Sequence, residues 1–307
     1  MRRPDASPHS ARHRGFTLIE IAVVIVVLSL LLAMIAGIAT AMIGQQRREA
    51  TRQRLTGVET ALALFASQNR RLPCPADGRI ASTAAGAGDE ARNSLTGACQ
   101  IGGAANVQTH GVVPWRTLGL AEQDATDGWG NRLTFRVAPE LTLNGAMDYT
   151  ACDPGAAVTG GTLGACASPC PSGVWPAGCS HPSDVTRTKG LKVRTNNATI
   201  TLVMNSAADP STGAAYVVIS HGENGVGGYG NSGVLQSGST PSGTLEAANN
   251  HANVAFAHAT SAAMTDASAL VDDFPSYNAD ANHFDDFVLR PSILTVATKA
   301  QLGPRAH

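Results

Sequence analysis

Gly15-Phe16-Thr17-Leu18-Ile19-Glu20 joins a short basic leader to Ile21 through Ile43, a run of 23 residues without one charged side chain. About 20 consecutive apolar residues are enough to cross a bilayer as a helix. A secretory signal has a shorter apolar core, roughly 7 to 15 residues, although Ala39-Thr40-Ala41 has the small-residue pattern of a signal cleavage site. Neither a signal nor a plain anchor explains Glu20 at the threshold of the run. Ionisable groups at membrane depth mark function and call for a partner of opposite charge.

The run resembles the processing segment of type IV prepilins and type II secretion pseudopilins. The resemblance implies that a prepilin peptidase cuts after Gly15 and methylates the new amino terminus, Phe16. Glu20 would then be the family's buried glutamate, paired in an assembled filament with the α-ammonium of a neighbouring subunit. The implied organisation is a leader at 1–15, a membrane-spanning and assembly helix at 16–43, an amphipathic continuation at 44–72 and an extracytoplasmic head at 73–307. The implied fold is α+β, a pilin-like lollipop with a long helix packed on an antiparallel sheet. Implied partners are the peptidase, other pilin subunits and an inner-membrane assembly platform. The leader would be cytoplasmic and the head periplasmic. Arginine counting does not fix this orientation, because Arg2, Arg3, Arg12 and Arg14 before the run are matched by Arg47, Arg48, Arg52 and Arg54 after it.

Composition narrows what the head is. A net charge of -1 and a pI near 6.7 leave no electrostatic footprint for nucleic acid. Six cysteines, Cys74, Cys99, Cys152, Cys166, Cys170 and Cys179, all follow the apolar run and sit in Pro-, Gly- and Ser-rich stretches. In an oxidising compartment an even set of this kind reads as disulfides, with the pairing open. A zinc site on Cys166, Cys170 and Cys179 is the rival, but no second close pair completes it.

Thr51, Leu55, Val58, Leu62 and Phe65 recur at spacings of 4, 3, 4 and 3, which lays them along one helical stripe. No proline occurs between Phe16 and Leu72, and Pro73 ends the helix. A helix from Phe16 to Arg70 would be about 80 Å long. Beyond it the pattern turns to strands. Arg132 to Val137 alternates apolar and polar residues, Leu191–Arg194 and Thr199–Met204 flank a turn at Asn196-Asn197, and Ala214 to Ser220 and Phe287 to Arg290 add two more. Pro291 suits the first position of a C-terminal helix. Residues 76–107 and 222–273 read as loops or insertions.

Three head segments extend the resemblance. Asp127-Gly128-Trp129-Gly130-Asn131-Arg132 is similar to the signature before the first sheet strand of the major type II pseudopilin. Val217-Val218-Ile219-Ser220-His221-Gly222-Glu223-Asn224-Gly225 is similar to its strand and glycine turn, and Phe284-Asp285-Asp286-Phe287-Val288 to its acidic C-terminal segment. Pseudopilins of this type hold calcium, and the resemblance nominates Glu223, Asn224, Asp285 and Asp286 as ligands. Cys74-Pro75 and Pro114-Trp115 depart from compact pseudopilins and point to a larger, minor subunit.

No nucleophile elbow, zinc-protease helix or phosphate loop occurs, and adjacent Ser220 and His221 on a strand point to opposite faces, so the chain reads as a non-enzyme. The reading is a structural subunit of a type IV pilus or type II pseudopilus at low copy. The rival is an anchored or filament-tip binding module for adhesion, DNA or a secretion substrate. Gly15→Leu is expected to leave the leader attached. Mass spectrometry of the mature wild-type chain should find N-methylated Phe16, and an intact Met1 or a start near Met42 would overturn this reading.

Overall fold

The computed structural model describes residues 17–101, 107–147, 189–195, 201–208, 211–236, 244–250, 264–277 and 283–302. The chain forms two compact units, Met1–Gln46 and Arg47–His307. Helix α1 runs from Leu18 to Asn69. In the first unit its side chains from Leu18 to Ile43 are almost all exposed, and the window of highest mean hydropathy, 3.1, has no buried residue. The two hydroxyls in this stretch satisfy themselves on the helix backbone: Ser29 Oγ donates to the Ile25 carbonyl (2.7 Å) and Thr40 Oγ1 to the Gly37 carbonyl (2.9 Å). Self-satisfied polar groups of this kind are what a hydrocarbon environment requires.

In the second unit α1 presents a buried stripe of Thr51, Leu55, Val58, Leu62, Ala63 and Ala66. The periodicity predicted the first four. Phe65, expected on the stripe, is only half-buried and lies under the Arg71 guanidinium, 4.9 Å from the ring centre, while small Ala63 and Ala66 are buried instead. The helix stops at Asn69 because Arg70 turns left-handed, with φ 53°, three residues before Pro73.

The main sheet is fully antiparallel. Its strands are β1 (Ala76–Asp77), β2 (Gly111–Val112), β4 (Thr134–Val137), β7 (Tyr216–Ser220) and β10 (Phe287–Leu289), in that spatial order. β3 (Asn131–Arg132) pairs with β8 (Tyr229–Gly230), and β5 (Val193–Thr195) lies between antiparallel β6 (Thr201–Met204) and parallel β9 (Leu270–Val271). The predicted hairpin is thus present in β5 and β6, with its turn at 196–200 outside the described residues. The expected strand from Arg132 to Val137 is interrupted: Leu133 donates its N–H to the Ala125 carbonyl, which separates β3 from β4. The C-terminal helix, α3, spans Ile293–Lys299, so Pro291 lies before it. Ser292 is the cap, its side chain accepting from Thr295 N–H (3.2 Å). A short helix, α2, covers Thr244–Ala247.

Strand alternation puts Phe135, Val137, Tyr216 and Val218 on one face of the sheet, and these join Leu55, Val58 and Leu62 of α1 in one core. The opposite face carries Thr134 and Arg136. Cys74 and Cys99 form a disulfide that closes the segment between them. Arg71, just before it, pairs with Glu90 inside the closed segment (2.6 Å), and Cys74 N–H donates to the same carboxylate (2.9 Å). Cys152, Cys166, Cys170 and Cys179 lie outside the described residues.

Leu62 is fully buried and Leu64 is 59% exposed on the same helix. Leu62→Ala should destabilise the head by about 2 to 5 kcal/mol, while Leu64→Ala should change it by less than about 0.5 kcal/mol, as read by urea unfolding.

Candidate functional site

At its N-terminal end α1 closes on itself. Thr17 N–H and Thr17 Oγ1 both donate to Glu20 Oε2, at 2.8 and 2.9 Å, and Glu20 N–H faces Thr17 Oγ1 at 3.4 Å. This is a capping box, in which a threonine cap and a glutamate three residues on satisfy each other's backbone donors. Both bonds fall on one oxygen of Glu20. Gly15 and Phe16 lie outside the described residues.

Residues 10–36 match the family model for the prokaryotic N-terminal methylation motif. The chain carries a prepilin-type methylation motif. The match takes in Gly15, Phe16 and Glu20 and supports the type IV pilin and pseudopilin family, whose members are structural subunits. The apolar helix behind the motif is long enough to cross a membrane and fits a membrane-anchored pilin. Comparison with curated proteins and with solved structures returned no match.

In the head, the three segments quoted from the sequence converge. Asp127 is buried, and its carboxylate accepts from Trp129 N–H and Asn131 N–H on Oδ1 (both 2.9 Å) and from Ser220 Oγ on Oδ2 (2.8 Å). Burial pushes its pKa up against these bonds. The turn it folds is held on α1: Gly128 N–H donates to Thr51 Oγ1, and Arg54 donates to the carbonyls of Thr126 and Asp127. Gly128 allows this, since a Cβ there would sit 2.3 Å from the Arg47 carbonyl oxygen. Trp129 is half-buried, its ring 6.0 Å from that of Phe287.

The glycine turn after β7 meets the acidic segment before β10. Asp285 Oδ2 accepts from Glu223 N–H (2.8 Å) and Asn224 N–H (3.2 Å), and a Cβ on Gly222 would fall 2.5 Å from Asp285 Oδ1. Asp286 accepts from Asn249 Nδ2 (2.7 Å) and faces His221 Nδ1 at 3.8 Å. The opposite ring nitrogen of His221 meets Thr134 Oγ1 at 2.7 Å.

Of the four residues nominated for calcium, Asp285 and Asp286 are buried here and Asn224 is beside them, but the Glu223 side chain is exposed. Glu223 and Asn224 address Asp285 through backbone N–H groups, the Asn224 side-chain Oδ1 accepts from Val226 N–H, and its Nδ2 donates to Glu246 Oε2. As placed, these four do not present a common shell of the six to eight oxygens calcium takes.

Two residues missing from the sequence reading complete the cluster. Glu246, on α2, accepts from Asp285 N–H on Oε1 (3.0 Å), and His283 Nε2 lies 3.5 Å from that oxygen. The signal for His283 was its place two residues before Asp285, which in extended chain puts both on one side. Glu246 lies in a segment of low sequence complexity, and nothing local sets it apart.

Burial and the neighbouring Asp285 push the Glu246 pKa up to about 7, and burial pushes Asp286 up as well. Burial drives His221 down to about 3, so it is neutral at pH 7. A carboxyl raised in the folded state contributes stability that is present below its unfolded pKa and lost as pH rises through the folded one. His221, lowered on folding, acts in the opposite sense. The comparison of wild type with Glu246→Gln isolates the first effect. In chelator, the stability of wild type relative to Glu246→Gln should fall as pH rises from about 4.5 to about 7, as measured by urea unfolding at each pH.

Proposed function

We propose that this chain is a prepilin-like structural subunit, cut after Gly15 by a prepilin peptidase, methylated at Phe16 and assembled through its helix into a type IV pilus or type II pseudopilus. The observation that carries the reading is the methylation motif over residues 10–36, continued by an apolar helix with exposed side chains. Before assembly the subunit stands in the inner membrane with its leader in the cytoplasm and its head in the periplasm. The Cys74–Cys99 bridge supports that orientation, since disulfides persist in oxidising compartments. A bulky head with long insertions favours low copy number.

Glu20 supplies the assembly chemistry. Its Oε2 is engaged by Thr17 of the same helix, which holds the carboxylate at the membrane threshold and leaves Oε1 for a cation. In a filament the Phe16 ammonium of a neighbouring subunit takes that place and offsets the desolvation of both charges. Glu20→Ala should spare cleavage and insertion yet reduce incorporation into filaments, and Glu20→Asp should do so in part. Crosslinking that finds the alanine variant in filaments at the wild-type level would exclude the ion pair and favour an anchored binding protein instead.

A further inference from the structure

The second unit begins at Arg47, four residues after the apolar run ends at Ile43. Four residues cover about 6 Å as helix and no more than about 14 Å at full stretch. The headgroups add about 5 to 7 Å to each side of a bilayer's hydrocarbon. With the run in a membrane, as proposed above, any part of the head fastened to residues 47–52 is therefore held at or just above the headgroups.

What is fastened there is aromatic and basic. The turn at Gly128 touches the Arg47 carbonyl too closely to admit a Cβ, which sets half-buried Trp129 beside the start of this segment. The Arg48 guanidinium lies 4.6 Å from the centre of the Tyr277 ring, and that of Arg52 lies 5.6 Å from the centre of the Phe287 ring. Tyr277 is 52% exposed, and Phe274, three residues earlier, is 88% exposed. One exposed ring needs no explanation. Tryptophan, tyrosine and arginine gathered just beyond a spanning run are the composition of a membrane interface. We infer that this end of the head docks on the phospholipid headgroup layer, with Phe274 and Tyr277 entering it and Arg47 and Arg48 binding lipid phosphate.

Charge assigns the occupant. The arginines after the run are not equivalent: Arg54 is spent on the carbonyls of Thr126 and Asp127, and Arg52 lies 3.8 Å from Glu49. Among the described residues neither Arg47 nor Arg48 pairs with a carboxylate, and the acids next to Phe274 are engaged, Asp272 by Arg290 and Asp273 by the Phe274 N–H. A guanidinium beside an exposed ring suits phosphate, which it binds through paired N–H donors. A second copy docked by the same surface would bring like charges face to face. The contact rests on the membrane-spanning reading of the run, and the test separates the two.

The test uses the full chain, with its cysteines oxidised, in phosphatidylglycerol-containing vesicles doped with a phospholipid that carries a photoactivatable carbene source in its headgroup or at the end of its acyl chain. Mass spectrometry of the peptides reads where each probe attaches. The tail probe should label residues 21–43, and its failure to do so would overturn the spanning reading and this contact with it. The headgroup probe should label Trp129, Phe274 and Tyr277 in the wild-type chain. A labelled run with these three unlabelled would overturn the docking surface alone. Arg47→Gln and Arg48→Gln should each lower headgroup labelling of Phe274 and Tyr277, relative to tail labelling of the run, by about fivefold, the weight of one arginine at an anionic surface. Labelling indifferent to both substitutions together would also overturn it. With p-benzoylphenylalanine in place of Phe274, irradiation should give lipid adducts, and chain dimers in their stead would assign the surface to a second copy.

Discussion

The head depends on one carboxylate that has almost no water. Asp127 binds the N–H groups of Trp129 and Asn131 and the hydroxyl of Ser220, so it folds its own turn and ties that turn to β7. The same turn rests on α1 through Gly128 and Thr51, a contact that only a residue without a Cβ permits. Helix, turn and central strand are thereby fixed to one another by a handful of polar atoms, and the apolar stripe of α1 then has one way to lie on the sheet. Hydrogen bonds to an ionised group are individually stronger than neutral ones, and here they offset part of the desolvation that still raises the Asp127 pKa.

Sequence reasoning reached whatever depends on period and on neighbours in the chain. The stripe from Thr51 to Leu62, the strands around Phe135 and Val218, and the stop before Pro73 were legible because they follow from spacing. The use of Arg132 was not. Alternation reads it as a solvent-facing polar position, yet it is 1% exposed, over the Trp115 ring, paired with Glu122 and bonded to the carbonyls of Gly78, Ile80 and Asn231. Those acceptors are backbone atoms from distant loops, and no side-chain pattern announces them. The carboxylate cluster before β10 divides in the same way. Asp285 and Asp286 were visible as an acidic pair, whereas Glu246 becomes a neighbour only through the path of a long insertion.

The sheet face away from α1 separates charge. Arg136 is buried, with Nε and one terminal nitrogen unpartnered among the described residues, and desolvation lowers its pKa to about 10. Its positive field helps keep His221 neutral. His221 in turn faces Asp286 on one ring nitrogen and Thr134 on the other.

The disulfide has a topological consequence. Cys74 and Cys99 make residues 74–99 a covalent ring, and Leu95, at 94% exposure, stands on its outer rim. A protease that cuts the rim opens the ring without dividing the molecule, because the bridge still holds the α1 side of the cut to the rest of the head. Arg71, just before the ring, and the Cys74 amide both bind Glu90, five residues before Leu95. A chain nicked there would stay in one covalent piece, and the break would show only after reduction.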